Sequence, residues 1–480
     1  MNKLHVDVLV VGGGPAGTPL AMTLAKAGKQ VLLVEDGPGL GGTCLFHGCI
    51  PSKIFRESAR VRSLVTRAVE FGITGTGGVP AVDWAAIQTR RHAILNRRAT
   101  GALSSARQLP SLRVVFGRAR FTGSHEVRID GARETQDGDG IPASDTIQVS
   151  FDRAVIATGS VANRLKVEGA ESPGVLSSEG LIGIGYVPAS MVVIGAGPIG
   201  VEMAQIFHML GTRISILEAL PDILQPVDSR LSHRLEELLV NGGIPVETGV
   251  GIDRIETTPD GHRVHYHKDG TERSADARVV LSVVGRRPNV DNLGLESTKV
   301  RFDAHGIKVN QNLTTDEPHI YALGDVVGQP MFAHWATAQA QALASHLLGK
   351  GMQFPKSEHN SAVIFSYPEV GMVGLTEEAA RAAGLDVAVA EYNYAVDARA
   401  QIAAEAEGML RIVYRTDDQT VVGVHAMVEG AADLMGEAAL AVRSGVRLSD
   451  LVAAIHPHPT LTESFGLAAR AAMAERPSQR

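Results

Sequence analysis

Two stretches of this chain repeat one pattern. VDVLVVGGGPAG (6–17) and SMVVIGAGPIG (190–200) are each an apolar run that breaks into G-x-G-x-x-G. Each leads into a helical pattern and then a second apolar run, the first ending at Glu35 and the second at Glu218. Gly12 to Glu35 and Gly195 to Glu218 are both 23 positions. A strand, a glycine turn, a helix and a second strand closing on an acid make a βαβ unit suited to a dinucleotide. Gly12 and Gly195 supply the tight turn. Gly14 and Gly197 let the backbone approach a pyrophosphate, and Gly17 and Gly200 let the helix close on the strand. The helix N-terminus offers free N–H groups to the phosphates. The acids accept hydrogen bonds from adenosine ribose hydroxyls, so the chain is expected to bind two dinucleotides.

The length of 480 residues calls for several domains. Between Arg113 and Ser150, alternating runs such as VRID and TIQVS predict a β-meander, and the charged, glycine-rich segment Gly131 to Asp145 predicts an exposed loop. FDRAVIATGS (151–160) and HIYALGDVVG (319–328) read as further strands. From Lys356 onward, strands such as MLRIVYR and VVGVHAM alternate with an alanine-rich helix, Ala431 to Val442, and no nucleotide turn occurs. The expected fold is α/β: two Rossmann-like, doubly wound, three-layer nucleotide-binding domains and an α+β C-terminal domain. The boundaries read from the sequence are 1–153 and 285–355 for the first nucleotide domain, 154–284 for the second and 356–480 for the last.

A net charge of -7 argues against a nucleic-acid partner, which would need a basic surface. No apolar run reaches the ~18–20 residues that span a bilayer. Val6 to Val11 is too short for a signal-peptide core and runs straight into glycines, so it reads as a buried strand in a cytoplasmic protein. No metal site is expected.

The chain has two cysteines, Cys44 and Cys49, with four residues between them. Spacing alone fits a redox pair or two buried structural thiols equally well. Their surroundings decide. GLGGTCLFHGCIPSK (39–53) places both after glycines at what reads as a helix start, where thiolate is favoured. Lys53 falls one helical turn beyond Cys49.

With these residues in view, the chain resembles the pyridine nucleotide–disulfide oxidoreductase family, and within it the branch that oxidises dihydrolipoamide. The resemblance covers nearly the whole chain through GGTC-x4-C-IPSK, both glycine turns, the ATG segment, VGRRPN (284–289), YALGDV (321–326), SYPEVGMVG (366–374) and HPTLTE (458–463). It implies FAD in the first nucleotide domain, NAD in the second, and a homodimer formed through the last. It implies that Cys44 is the thiol that meets substrate and Cys49 the thiol against the flavin. Lys53 would lie near the flavin and pair with Glu202, and Asp325 would bind the ribityl chain. A helix starting near Met331 would aim its positive end at the flavin. Gly42, Thr43, Thr158, Gly159 and Gly285 fall in the motifs that line the cofactors. His458 would be the acid–base and Glu463 the carboxylate that orients it, a sensible arrangement because thiol exchange needs a base titrating near neutrality. His456 reads as structural. In this family the histidine serves the cysteines of the partner chain, so each site would need both protomers.

Glu218 would repel a 2′-phosphate, and the third glycine, Gly200, is alanine in many NADPH-using relatives, so NAD is expected over NADP. The absence of a C-terminal cysteine pair weighs against a mercuric-reductase-like activity, and a glutathione-type reductase would favour NADP. A dithiol on a small molecule or a lipoyl carrier is the expected substrate. A flavoprotein scaffold without turnover would be expected to lose Cys44, Cys49, His458 or Glu463, and all four are present. The chain departs from its relatives at Phe46 and His47, between the cysteines, and at Trp335.

Overall fold

The computed structural model describes residues 3–75, 78–134 and 145–474. They gather into two compact units, Met1–Ile54, Ala85–Asn163 and Gly285–Pro355 in one, and Phe55–Trp84, Arg164–Val284 and Lys356–Arg480 in the other.

The first unit is built on β1 (Lys3–Val11), α1 (Gly17–Lys26) and β2 (Val31–Glu35), the predicted βαβ element. All of β2 is buried, as expected for a parallel strand covered on both faces. Next come the short helix α2 (Gly42–Phe46), α3 (Cys49–Thr66) and α4 (Trp84–Arg107). The meander follows as β3 (Leu112–Gly123), β4 (Glu126–Glu134) and β5 (Asp145–Ile156). Strands β2, β1 and β5 run parallel side by side, flanked by β3 beyond β2 and by Ile320–Ala322 beyond β5. β4 pairs antiparallel with both β3 and β5. One apolar cluster, including Leu9, Val34, Phe121, Phe151 and Ile320, fills one face of the sheet. Another, including Val10, Leu20, Leu33 and Leu343, packs α1 and the helix Ala333–Leu347 on the other.

The predicted exposed loop Gly131 to Asp145 overlaps the sheet at both ends. Gly131 to Glu134 complete β4 and Asp145 opens β5, because the ladder extends past the glycine; residues 135–144 lie outside the described residues. The boundary placed between residues 153 and 154 falls inside β5, and the first unit continues to Asn163. The helix expected near Met331 begins at Ala333.

In the second unit a parallel sheet runs in the order Val246–Glu247, Arg213–Leu217, Ser190–Ile194, Val279–Ser282 and Val175–Leu176. A three-stranded antiparallel sheet over residues 251–277 packs on it through Val264 and Tyr266. The C-terminal segment forms a five-stranded antiparallel sheet in the order Ser361–Ile364, Val370–Gly374, Val421–Met427, Met409–Arg415 and Val387–Asn393. Helices Ala431–Ser444 and Glu463–Ala474 cover it, burying Leu434, Met435 and Phe465. This segment shares its compact unit with residues 164–284 rather than standing apart. Asp228 caps the helix Ser229–Asn241 and binds Arg411 of the C-terminal sheet at 2.5 Å, with both side chains buried. Removing one partner of such a pair strands the other charge in the interior.

Candidate active site

Each glycine turn has the local geometry that its sequence demands. Gly12 has φ +106° and Gly195 φ +109°, values that L side chains avoid. A Cβ on Gly195 would stand 2.6 Å from the Val283 carbonyl oxygen, and one on Gly12 would strike that of Ala157. A Cβ on Gly17 would strike the Gly12 carbonyl, as one on Gly200 would strike that of Gly195. By contrast, a Cβ on Gly197 or Gly159 would meet nothing within 4 Å. The backbone there faces open space, the cradle a phosphate requires.

The acids close each turn in the same way. Glu35 accepts from the Gly13 N–H at 2.5 Å and the Gly37 N–H at 2.7 Å. Glu218 accepts from the Ala196 N–H at 2.5 Å and the Leu220 N–H at 2.8 Å. Burial raises the Glu35 carboxyl above its ordinary range, against the pull of these N–H groups.

Gly42 brings the cysteine segment to the first turn. Its φ is +57°, a Cβ there would lie 2.8 Å from the Gly14 Cα, and the Gly41 N–H donates to the Gly13 carbonyl at 2.8 Å. The cysteines sit on two successive helices, not at the start of one. Thr43 and Cys44 lie in α2, which ends as the His47 N–H donates to the Thr43 carbonyl, and Cys49 opens α3. Both are free thiols, Cys44 half-buried and Cys49 exposed. The expected easing of the thiol pKa at a helix start does not hold for Cys44. A hydrogen bond with the Cys49 side chain raises it strongly and burial adds to the rise, while Lys53 and Arg98 pull it down. Lys53 is half-buried in α3. Phe46 packs in the apolar cluster of Leu45, Ile54 and Leu95, whereas His47 is exposed. Trp335 is buried in the helix Ala333–Leu347.

Thr158 and Gly159 are tied to VGRRPN. The Thr158 hydroxyl donates to the Asn289 carbonyl at 2.7 Å, and the Asn289 N–H donates to the Gly159 carbonyl. Gly285, at φ +100°, accepts from the Asn163 N–H where the chain returns to the first unit. Burial raises the Asp325 carboxyl, whose Oδ2 accepts from the Ser160 hydroxyl at 2.7 Å. Arg286 holds Ser160 in turn, with Nε donating to Oγ at 2.8 Å and a terminal nitrogen to the carbonyl at 2.7 Å. Sequence reading passed over Ser160, Arg286 and Arg98. Arg286 lay in a quoted motif, but nothing in the sequence pointed to its partner.

In the second unit, Glu202 is buried and accepts from the Phe365 N–H at 2.9 Å. His458 and Glu463 meet as expected, with Nδ1 3.1 and 3.2 Å from the two carboxylate oxygens. The Thr460 N–H binds Glu463 at 2.9 Å, and this bond first, then His458, holds the carboxyl below its usual range. The His458 side chain is 74% exposed. With Nδ1 on the carboxylate, Nε2 is the nitrogen available to a reactant. His456 instead pairs with Glu437 at 2.9 Å on a mostly buried side chain.

Residues 6–342 match the family described as pyridine nucleotide-disulphide oxidoreductase, and residues 360–469 match its dimerisation domain. The chain belongs to this family. It is an oxidoreductase acting on a sulfur group, with FAD and a pyridine nucleotide as cofactors. The glycine cradles and paired acids fit those groups. A dihydrolipoyl dehydrogenase of Geobacillus stearothermophilus is 32% identical over 471 residues, 98% of this chain and 97% of that protein. One from Bacillus subtilis is 33% identical over 462 residues, 96% and 95% of the two chains. In structure the chain is similar to the Cu(II) complex of RclA, an HOCl-induced flavoprotein disulfide reductase from Escherichia coli, with TM-score 0.85 and 25% identity over 98% of this chain and 100% of that one. No described helix is long and apolar enough to cross a membrane.

Proposed function

We propose that the chain is a cytoplasmic, NAD-dependent dihydrolipoamide dehydrogenase that acts on a lipoyl dithiol, free or carrier-bound, as a homodimer with shared active sites. The observation that carries this reading is the complete set of thiol-exchange groups: Cys44 hydrogen-bonded to Cys49, and His458 held by Glu463.

In this reading His458 takes the proton of a substrate thiol. The thiolate attacks Cys44 Sγ of the Cys44–Cys49 disulfide, the S–S bond breaks, and Cys49 leaves as thiolate. The second substrate thiol, deprotonated in its turn, attacks the substrate sulfur of the mixed disulfide. Cys44 is released and takes a proton, and the substrate departs as its disulfide. The rise of the Cys44 thiol through its hydrogen bond with Cys49 and through burial fits Cys49 as the thiolate. Bound FAD supplies the chemistry that takes the electron pair from the dithiol to NAD⁺.

Gly12, Gly14, Gly17, Glu35, Gly42, Thr43, Thr158, Gly159 and Asp325 would hold FAD. Gly195, Gly197, Gly200, Glu218 and Gly285 would hold NAD. Lys53 and Glu202 would act as a pair beside the flavin. With the first boundary moved past β5, the domain limits proposed for function are 1–163 and 285–355 for FAD, 164–284 for NAD and 356–480 for the interface.

The test is turnover of the purified FAD-loaded protein on dihydrolipoamide, lipoyl-protein, glutathione disulfide and mercuric ion, each with both nucleotides. Dihydrolipoyl substrates with NAD⁺ should give the highest kcat/KM. Faster reduction of glutathione disulfide or mercuric ion would displace the reading.

A further inference from the structure

Two cations act on Cys44, Lys53 of α3 and Arg98 of α4. α4 is 24 residues long and carries Arg90, Arg91, Arg97, Arg98 and Arg107 without one acid, in a chain whose net charge is -7. No acid occurs from Gly37 to Arg56, the stretch that includes α2 and the first turns of α3.

α4 is fastened to the cysteine-bearing helices by contact of Ile94, Leu95 and Ala99 with Leu45, Phe46, Ile50 and Ile54. Arg98 lies four residues after Ile94 and three after Leu95, so it flanks that same face. Among the described residues the exposed Arg98 makes no hydrogen bond or ion pair. Its charge nonetheless acts on the Cys44 thiol together with that of Lys53, opposing the larger effects of the Cys49 hydrogen bond and burial.

We infer that Arg98 is a specificity-determining residue that favours a dithiol carrying a carboxylate over its neutral counterpart. This rests on the dithiol-oxidation reading above. A cation exposed and unpaired within its own chain can give its charge to a ligand, and a charge beside the reacting thiol acts through encounter and orientation.

Dihydrolipoate and dihydrolipoamide provide the test, because they share the dithiol and differ in one charge. Both are assayed with NAD⁺ and the FAD-loaded wild type, Arg98→Lys, Arg98→Ala and Arg98→Glu. The quantity read is the ratio of kcat/KM for dihydrolipoate to that for dihydrolipoamide. It should stay near wild type in Arg98→Lys and fall about fivefold in Arg98→Ala, the upper range of an exposed ion pair. It should fall roughly tenfold or more in Arg98→Glu, mainly through KM, and the differences should shrink in high salt.

An unchanged ratio in Arg98→Glu, with both dithiols turning over, would overturn the inference and leave the dithiol reading intact. An equal loss on both dithiols would also overturn it, showing that Arg98 acts on Cys44 and not on substrate. Wild type that oxidises neither dithiol would overturn the dithiol reading and the inference with it.

Discussion

Glu218 repeats Glu35 bond for bond: each carboxylate spans the N–H of the residue after its first turn glycine and an N–H two residues beyond itself. The two nucleotide sites thus end on acids fixed by backbone, not on mobile side chains. A fixed carboxylate favours two ribose hydroxyls and opposes a phosphate.

NADH should therefore exceed NADPH in kcat/KM. Glu218→Arg should narrow the gap by about tenfold or more, the ~1.4 kcal/mol that one well-placed charge supplies. Steady-state kinetics of flavin reduction with each nucleotide checks this. A wild type that prefers NADPH would contradict the ribose argument.

His458→Gln should lower dithiol oxidation by roughly 10²–10⁴-fold, the usual contribution of a general base, while NADH still reduces the flavin quickly. Glu463→Gln should cost less, since it removes orientation and leaves the base. If the site is shared, inactive Cys44→Ser and His458→Gln protomers should regain activity when their subunits are exchanged. One site of each mixed dimer would then hold both groups. Mixed dimers shown to form yet remaining inactive would confine His458 to its own chain.

Glu369 and Glu429 share one guanidinium, Arg56, at 3.3 and 2.7 Å. Burial pushes the Glu429 carboxyl up to about 7, Arg56 opposes this, and Glu369 adds to the rise. Its folded value lies above the ordinary 4.5, so the folded state binds more protons between pH 4.5 and 7. Stability from this group is present below that window and is lost as pH rises through it, by on the order of 3 kcal/mol at most. Thermal unfolding of wild type and Glu429→Gln from pH 5 to 8 should show a decline in the wild type that the variant lacks. Parallel Tm profiles would refute the assignment.

The two nucleotide folds were legible because glycine turns and parallel strands are local: a tight turn, a buried run and a terminal acid lie within 23 residues of one another. His458 and Glu463 stand five residues apart in one motif, a spacing local enough to read, and their side chains lie 3.1 Å apart. The split of the cysteines over α2 and α3 was not legible, because the break rests on the non-helical backbone of His47, φ −134°. Nor was the raised Cys44 thiol, which depends on the side-chain geometry of Cys49 and on burial. The Arg286–Ser160–Asp325 chain joins residues up to 165 positions apart, and no spacing rule reaches that far.

The central claim is that electrons pass from substrate through Cys44 and Cys49. Its most direct test is anaerobic addition of dihydrolipoamide to the FAD-loaded protein while visible absorbance is followed. Wild type should develop a long-wavelength thiolate–flavin band as two thiols become titratable. Cys44→Ser should show such a band before any reductant is added, and Cys49→Ser should show none; neither should oxidise the dithiol. Normal dithiol oxidation by both variants, or a wild type that turns over without the band, would contradict the account.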